Sequence, residues 1–164
     1  MIDLKQYQVC IFDCDGVILD SNKIKTNAFK QALKDEPRDK IEQLVKYHKE
    51  NGGVSRYKKF EYFYKEISPH ENYDERLELS LDRFATVVRK ELLKANLIPG
   101  VVNFINSLNE SNLSCFVNSG SDEEELIQIL SAIGISDLFK GIFGSPATKV
   151  ENTKKILDLM GDKK

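Results

Sequence analysis

Residues 8 to 12, Gln8-Val9-Cys10-Ile11-Phe12, form a short and almost continuous apolar run that ends in Asp13, Asp15 and Gly16. A run of that length, bounded by acids and glycine, predicts a buried strand opening into a loop. From Asn22 to Asn96 the spacing changes to one apolar residue every three or four. Ile24, Ala28, Ala32 and Leu33 share a face, as do Ile41, Leu44 and Val45 with His48, then Phe60, Phe63, Tyr64 and Ile67, then Leu77, Leu81, Phe84, Val88 and Leu92. That spacing predicts about four amphipathic helices with no strand between them, and Gly52-Gly53 and Ser68-Pro69 punctuate them as turns.

After Leu97-Ile98-Pro99-Gly100 helices alternate with short apolar strands. Val101, Val102, Ile105 and Leu108 predict a helix, Leu113 to Val117 a strand, and Leu126, Ile129, Leu130 and Ile133 a helix; Ile142-Phe143 then predict a strand and Val150 to Met160 a helix. Strand, helix, strand, helix, strand is the pattern of a parallel sheet covered by helices. The chain is therefore expected to be α/β, a Rossmann-like parallel sheet core over residues 1–20 and 97–164 with an inserted helical domain over 21–96.

Composition narrows the function classes. Apolar residues at 41% and charged residues at 30% are ordinary for a globular protein. A formal net charge of −2 leaves no basic excess for a phosphate backbone, so nucleic acid is not an expected partner. Met1-Ile2-Asp3 opens without a basic or apolar leader, and no apolar run approaches the roughly 20 residues of a membrane span. A cytoplasmic protein without membrane contact is expected, its oligomeric state not legible. Cys10, Cys14 and Cys115 show neither zinc-ligand spacing nor an even count, and each falls in or beside a strand, so all three are read as small buried thiols. His48 and His70 lie in a polar helical region far along the chain from the acidic turn, which disfavours Cys-His and Ser-His-Asp devices.

In open parallel sheets ligands gather beyond the carboxyl ends of the strands. The residues that fall there are Asp13 and Asp15, then Ser119 and Gly120, then Ser145 to Lys149. Two acids, a hydroxyl and a lysine suit phosphoryl transfer. A carboxylate can attack phosphorus, a metal and a lysine can neutralise phosphate oxygens, and a second carboxyl can move protons. A calcium loop fits poorly, because it wants acids at its first, third and fifth positions with glycine sixth, whereas Gly16 stands fourth after Asp13.

FDCDGV, followed by VNSGS at 117 to 121 and GSPATK at 144 to 149, resembles the first three motifs of the haloacid dehalogenase superfamily, in its phosphoglycolate phosphatase and β-phosphoglucomutase-like group. The inserted helices resemble that family's cap, and Asn51 to Phe60 is similar to cap sequences of its phosphatases. The resemblance implies a Mg2+-dependent phosphomonoester hydrolase acting on a small phosphorylated metabolite. It implies that Asp13 is nucleophile and Mg2+ ligand, and that Asp15 is general acid, then base, with its carbonyl on the metal. Ser119 and the Gly120 amide would hold phosphate, and Lys149 would tie Asp13 to it. Arg56 and Lys59 are candidate substrate contacts, with a solvated helix face as the alternative, and Asp20 is structural.

Ser121 with Glu124 forms a capping-box pattern, so Ser121 is read as a helix cap. Asp122, Glu123, Glu124 and Glu125 favour a helix start but would repel a phosphate on its axis. The family's fourth motif, a strand ending in Gly-Asp with further acids, has no counterpart; the chain ends Gly161-Asp162-Lys163-Lys164 directly after a helix, and Asp162 is not that ligand. The chain is accordingly expected to be truncated before that motif, leaving Mg2+ weakly held and the third strand's edge exposed. A sugar phosphomutase and a catalytically weak or silent phosphate-binding protein stay open as alternatives.

Overall fold

The apolar run after Gln8 becomes strand β1 (Val9–Phe12), the first element of a computed structural model that describes residues 6–161. Four helices follow: α1 (Asn22–Ala32), α2 (Arg38–Glu50), α3 (Arg56–Tyr62), which continues into a π turn (Phe63–Ile67), and α4 (Tyr73–Leu92). Then come α5 (Val101–Glu110), β2 (Ser114–Asp122), α6 (Glu123–Ile133), β3 (Gly141–Ser145) and α7 (Lys149–Met160). The expected α/β architecture is the one found. By contacts the chain divides into two units, Met1–Asp20 with Ala95–Lys164, and Ser21–Lys94.

The sheet is parallel with the order β1-β2-β3. Parallel strands buried on both faces are apolar without alternation, and the central strand follows that rule from Cys115 to Val117, after which the polar Asn118 and Ser119 are buried as well. Phe12 meets the rings of Phe104 and Phe139 edge-on, each at 6.2 Å. Cys10 and Cys115 are direct partners in the β1–β2 register. Cys115 and Cys14 are buried as expected, but Cys10 is only half-buried.

The burial of Cys115 has a measurable consequence. Burial, and secondarily the neighbouring Cys10, push its thiol up to about 11 from an ordinary 9.0. The folded state then holds a proton that the unfolded chain releases between those values, so the contribution is complete below pH 9 and lost as pH rises through about 11. Unfolding free energy measured by denaturant titration falls across that alkaline window, and Cys115→Ala flattens the slope. An unchanged slope in the variant would contradict this assignment.

In the helical unit the apolar faces converge on Phe29, whose ring stands 4.6 Å from Phe84 and 5.1 Å from Phe60. Leu33, Leu44, Phe63 and Val88 are buried with them. The buried carboxylate of Glu36 takes hydrogen bonds from Arg76, Tyr64 and Ser68. These bonds supply the partners that a desolvated charge requires.

Candidate active site

The turn after β1 owes its shape to apolar residues within it. Ile18 and Leu19 are 0% and 1% exposed, and burying two such side chains stabilises the turn by about 1.5–3 kcal/mol each. The Cys14 carbonyl accepts the amides of Ile18 (2.8 Å) and Leu19 (3.0 Å), and Gly16, at φ 74°, donates to the Leu19 carbonyl at 2.8 Å. Positive φ costs an L side chain roughly 1–2 kcal/mol, which is why glycine occupies that point. The returning segment clamps the far side: the Asp20 amide donates to the Asn96 carbonyl, the Ile98 amide to the Ile18 carbonyl, each at 2.9 Å, and Leu19 bridges Leu97 antiparallel. Asp20 thus has a structural part in the seam through its backbone.

Asp13 and Asp15 project from this hook, both half-buried. Asp13 Oδ1 accepts the Cys14 amide at 2.8 Å, and Asp13 Oδ2 accepts the Lys149 ammonium at 2.6 Å. Lys149 is the first residue of α7, whose start is set by a reciprocal cap. The Glu151 amide donates to Thr148 Oγ1 at 3.2 Å, and the Thr148 amide donates to Glu151 Oε2 at 2.7 Å.

The end of β2 departs from the sequence-based expectation. Asn118 pairs with Phe143, but the next pairing is Asp122 with Ser145, so four residues advance on β2 against two on β3. Such a bulge re-aims side chains at a sheet rim. The bulged segment is Ser119-Gly120-Ser121. Ser121 is not the cap of α6: Asp122 is, its carboxylate accepting the Glu125 amide at 3.0 Å. Ser121 instead donates to Asp15 Oδ2 at 3.0 Å and receives the Ser119 hydroxyl at 3.0 Å. Ser119, fully buried, feeds a chain of hydroxyls that ends on Asp15. Glu123, expected only to favour the helix start, accepts the Gly144 amide at 2.8 Å and ties β3 to the bulge.

Gly144 permits that contact. A Cβ there would lie 2.5 Å from the Ser121 carbonyl oxygen and 2.7 Å from the backbone of Glu123. Backbone cannot yield as a side-chain tip can, so Gly144→Ala is expected to cost about 1–3 kcal/mol, the range for overpacking. Thermal unfolding measures it, and an unchanged midpoint would show that the bulge relaxes freely.

Asp13, Asp15, Ser119, Gly120 and Lys149 therefore belong to one rim, through the bonds Lys149 to Asp13 and Ser119 through Ser121 to Asp15. Arg56 and Lys59 lie in α3 of the helical unit. Neither stands on a simple solvated face. Lys59 is 2% exposed, its ammonium 3.1 Å from His48 Nδ1 and 5.7 Å from the centre of the Phe29 ring. Arg56 is half-buried over Tyr57 and Phe84. Asp162 lies outside the described residues.

Among the described residues no group of three or more His, Cys, Asp and Glu side chains could hold a metal. The hard oxygens of Asp13 and Asp15 suit Mg2+ in its usual mode, one or two carboxylates with waters and substrate phosphate completing the octahedron. The donor set thus fits a hydrated ion that substrate helps to hold. No described helix is long and apolar enough to cross a membrane.

The family profile described as "Haloacid dehalogenase-like hydrolase" matches residues 10–164. The protein named "Putative phosphatase YhcW" of Bacillus subtilis (strain 168) is 31% identical over 144 residues, covering 88% of this chain and 62% of that protein. The chain thus spans less than two thirds of that relative's length. A crystal structure titled as a "predicted phosphatase" from Clostridium acetobutylicum superposes with a TM-score of 0.73 at 18% identity, over 94% of this chain and 70% of that one. A β-phosphoglucomutase from Clostridium difficile superposes with a TM-score of 0.61 at 21% identity, over 83% of this chain and 60% of that one. At such identities the structural likeness establishes the fold alone.

Proposed function

The chain belongs to the haloacid dehalogenase-like hydrolase family, and from that premise we propose that it hydrolyses a small phosphomonoester through an aspartyl-phosphate on Asp13. The observation that carries this reading is the Asp13 carboxylate, held on one oxygen by the Cys14 amide and on the other by Lys149. A nucleophile already fixed at both oxygens loses little freedom on reaching the transition state. Its remaining lone pairs leave it able to attack.

In the first step a carboxylate oxygen of Asp13 bonds to phosphorus as the ester P–O bond breaks. Asp15 delivers a proton to the departing oxygen. In the second step ionised Asp15 removes a proton from water, whose oxygen bonds to phosphorus while the P–O bond to Asp13 breaks. Inorganic phosphate leaves and both acids are restored. The Ser121 hydroxyl, donating to Asp15 Oδ2, orients that carboxyl for both transfers. The Gly120 amide and the Ser119 hydroxyl would seat the phosphate, the latter by turning from Ser121. Lys149 would offset charge on the phosphoryl oxygens. Mg2+ on the Asp13 carboxylate and the Asp15 carbonyl would neutralise the transferring group. Arg56 and Lys59 are the proposed substrate contacts of the helical cap.

Acid quenching during turnover of a 32P-labelled ester in Mg2+ tests the intermediate. Label is expected on the peptide carrying Asp13, and EDTA removes both label and turnover. Turnover with no label on that peptide would reject the mechanism. A second reading, a phosphate-binding protein without turnover, is favoured by Asp13 and Asp15 having no third His, Cys, Asp or Glu grouped with them for a metal among the described residues. Calorimetric binding of inorganic phosphate with Mg2+, without hydrolysis of any ester tried, would establish it instead.

A further inference from the structure

We infer that Asn118 is a positioning residue that sets the Lys149 ammonium against Asp13. It stands in the central strand after Cys115-Phe116-Val117 and is 5% exposed, a place where an apolar side chain would avoid the cost of burying an amide. Its Nδ2 donates to the carbonyl of Lys149 itself at 2.8 Å and to Thr153 Oγ1 at 3.0 Å. Thr153 Oγ1 donates to the same carbonyl at 2.7 Å. The amide, the carbonyl and the hydroxyl make a part-buried triangle on the first turn of α7.

The strand register closes a ring through this triangle. Phe12 pairs with Val117 in the β1–β2 ladder. Asp13 follows Phe12, Asn118 follows Val117, Asn118 holds the Lys149 backbone, and Lys149 Nζ returns to Asp13 Oδ2 at 2.6 Å. Apart from that ion pair and the Asn118 bond, every link is covalent or a ladder pairing. Asn152 Nδ2 also ties this turn to β3, donating to the Gly144 carbonyl at 2.9 Å, but among the described bonds the Asn118 amide is the contact that carries the geometry of the sheet directly to the Lys149 carbonyl. Asn118 Oδ1 is buried and has no hydrogen-bond partner, so the residue is kept for what its Nδ2 does. Ser145 Oγ and Asn152 Oδ1 are likewise buried without a partner, but neither residue bonds the Lys149 carbonyl as Asn118 does.

The consequence for turnover rests on the phosphohydrolase reading; the geometric claim does not. Asn118→Leu, alike in branching but larger and without the donor, is expected to lower kcat for an aryl phosphate by about 10–100-fold, the scale of a misplacement near 1 Å, with KM nearly unchanged. In a Lys149→Met background the same substitution is expected to change kcat less than about twofold, because the group it positions is gone. The activity-independent arm is the 1H–15N spectrum of 15N-lysine-labelled protein. The ammonium signal assigned to Lys149 by its absence in Lys149→Met is expected to vanish in Asn118→Leu while the other signals stay. Should Asn118→Leu fail to fold, Asn118→Ser, too short to reach both partners, takes its place. An additive loss in the Lys149→Met background, or an unchanged ammonium signal, would overturn the inference. A native chain without turnover whose ammonium signal still depends on Asn118 would reject the hydrolase and leave the positioning role standing.

Discussion

Asp13→Asn lowers turnover of an aryl phosphate by at least about a thousandfold, the order seen when a nucleophile is removed from an enzyme that depends on it. The substitution is nearly isosteric. Asparagine keeps an oxygen to accept the Cys14 amide, now at 2.8 Å, so the hook retains its shape. It lacks the charge that bonds to phosphorus and the second acceptor for Lys149. Loss of the ion pair does not unfold the chain: with side chains 34% and 39% exposed, such a pair contributes about 0–1 kcal/mol. Steady-state rates beside a thermal melt separate the two effects. A variant that keeps a tenth of the wild-type rate would end the aspartyl-phosphate account.

Lys149→Met is expected to cost about 10²–10³ in kcat, the range for removing one preorganised donor from a developing anion. Methionine fills similar space and suits a helix, and the Thr148–Glu151 cap survives because it uses no atom of the Lys149 side chain. The loss is therefore electrostatic. Lys149→Arg recovers only part of it, since a planar fork cannot replace a point charge that meets Asp13 Oδ2 at 2.6 Å. Equal rates for wild type and Lys149→Met would place the lysine outside the chemistry.

Much of this site was legible because its elements are local. A five-residue apolar run, alternation of helix and strand after Pro99, and acids or lysine just past strand ends all follow from neighbouring residues. What escaped depends on partners distant in sequence. Ser121 and Glu124 match a capping box, yet Asp122 caps α6, because the bulge against β3 carries Ser121 away from the helix and onto Asp15. Glu123 reads as one acid among four, and only the approach of Gly144 gives it a partner. Asn118 and Lys149 are 31 positions apart, and their bond follows from where α7 lands on β2. Lys59 reads as surface by type and is buried by the packing of α3.

The seam at Ile18 to Asp20 and Asn96 to Ile98 has an architectural consequence. The outgoing and returning strands of chain are hydrogen-bonded to one another before the helices begin and after they end. A few residues of linker would join Asp20 to Asn96, and closing so short a gap carries a small entropic penalty. Everything between those two residues is a cassette: it can be lengthened, grafted or exchanged while the acidic hook stays stitched to the sheet.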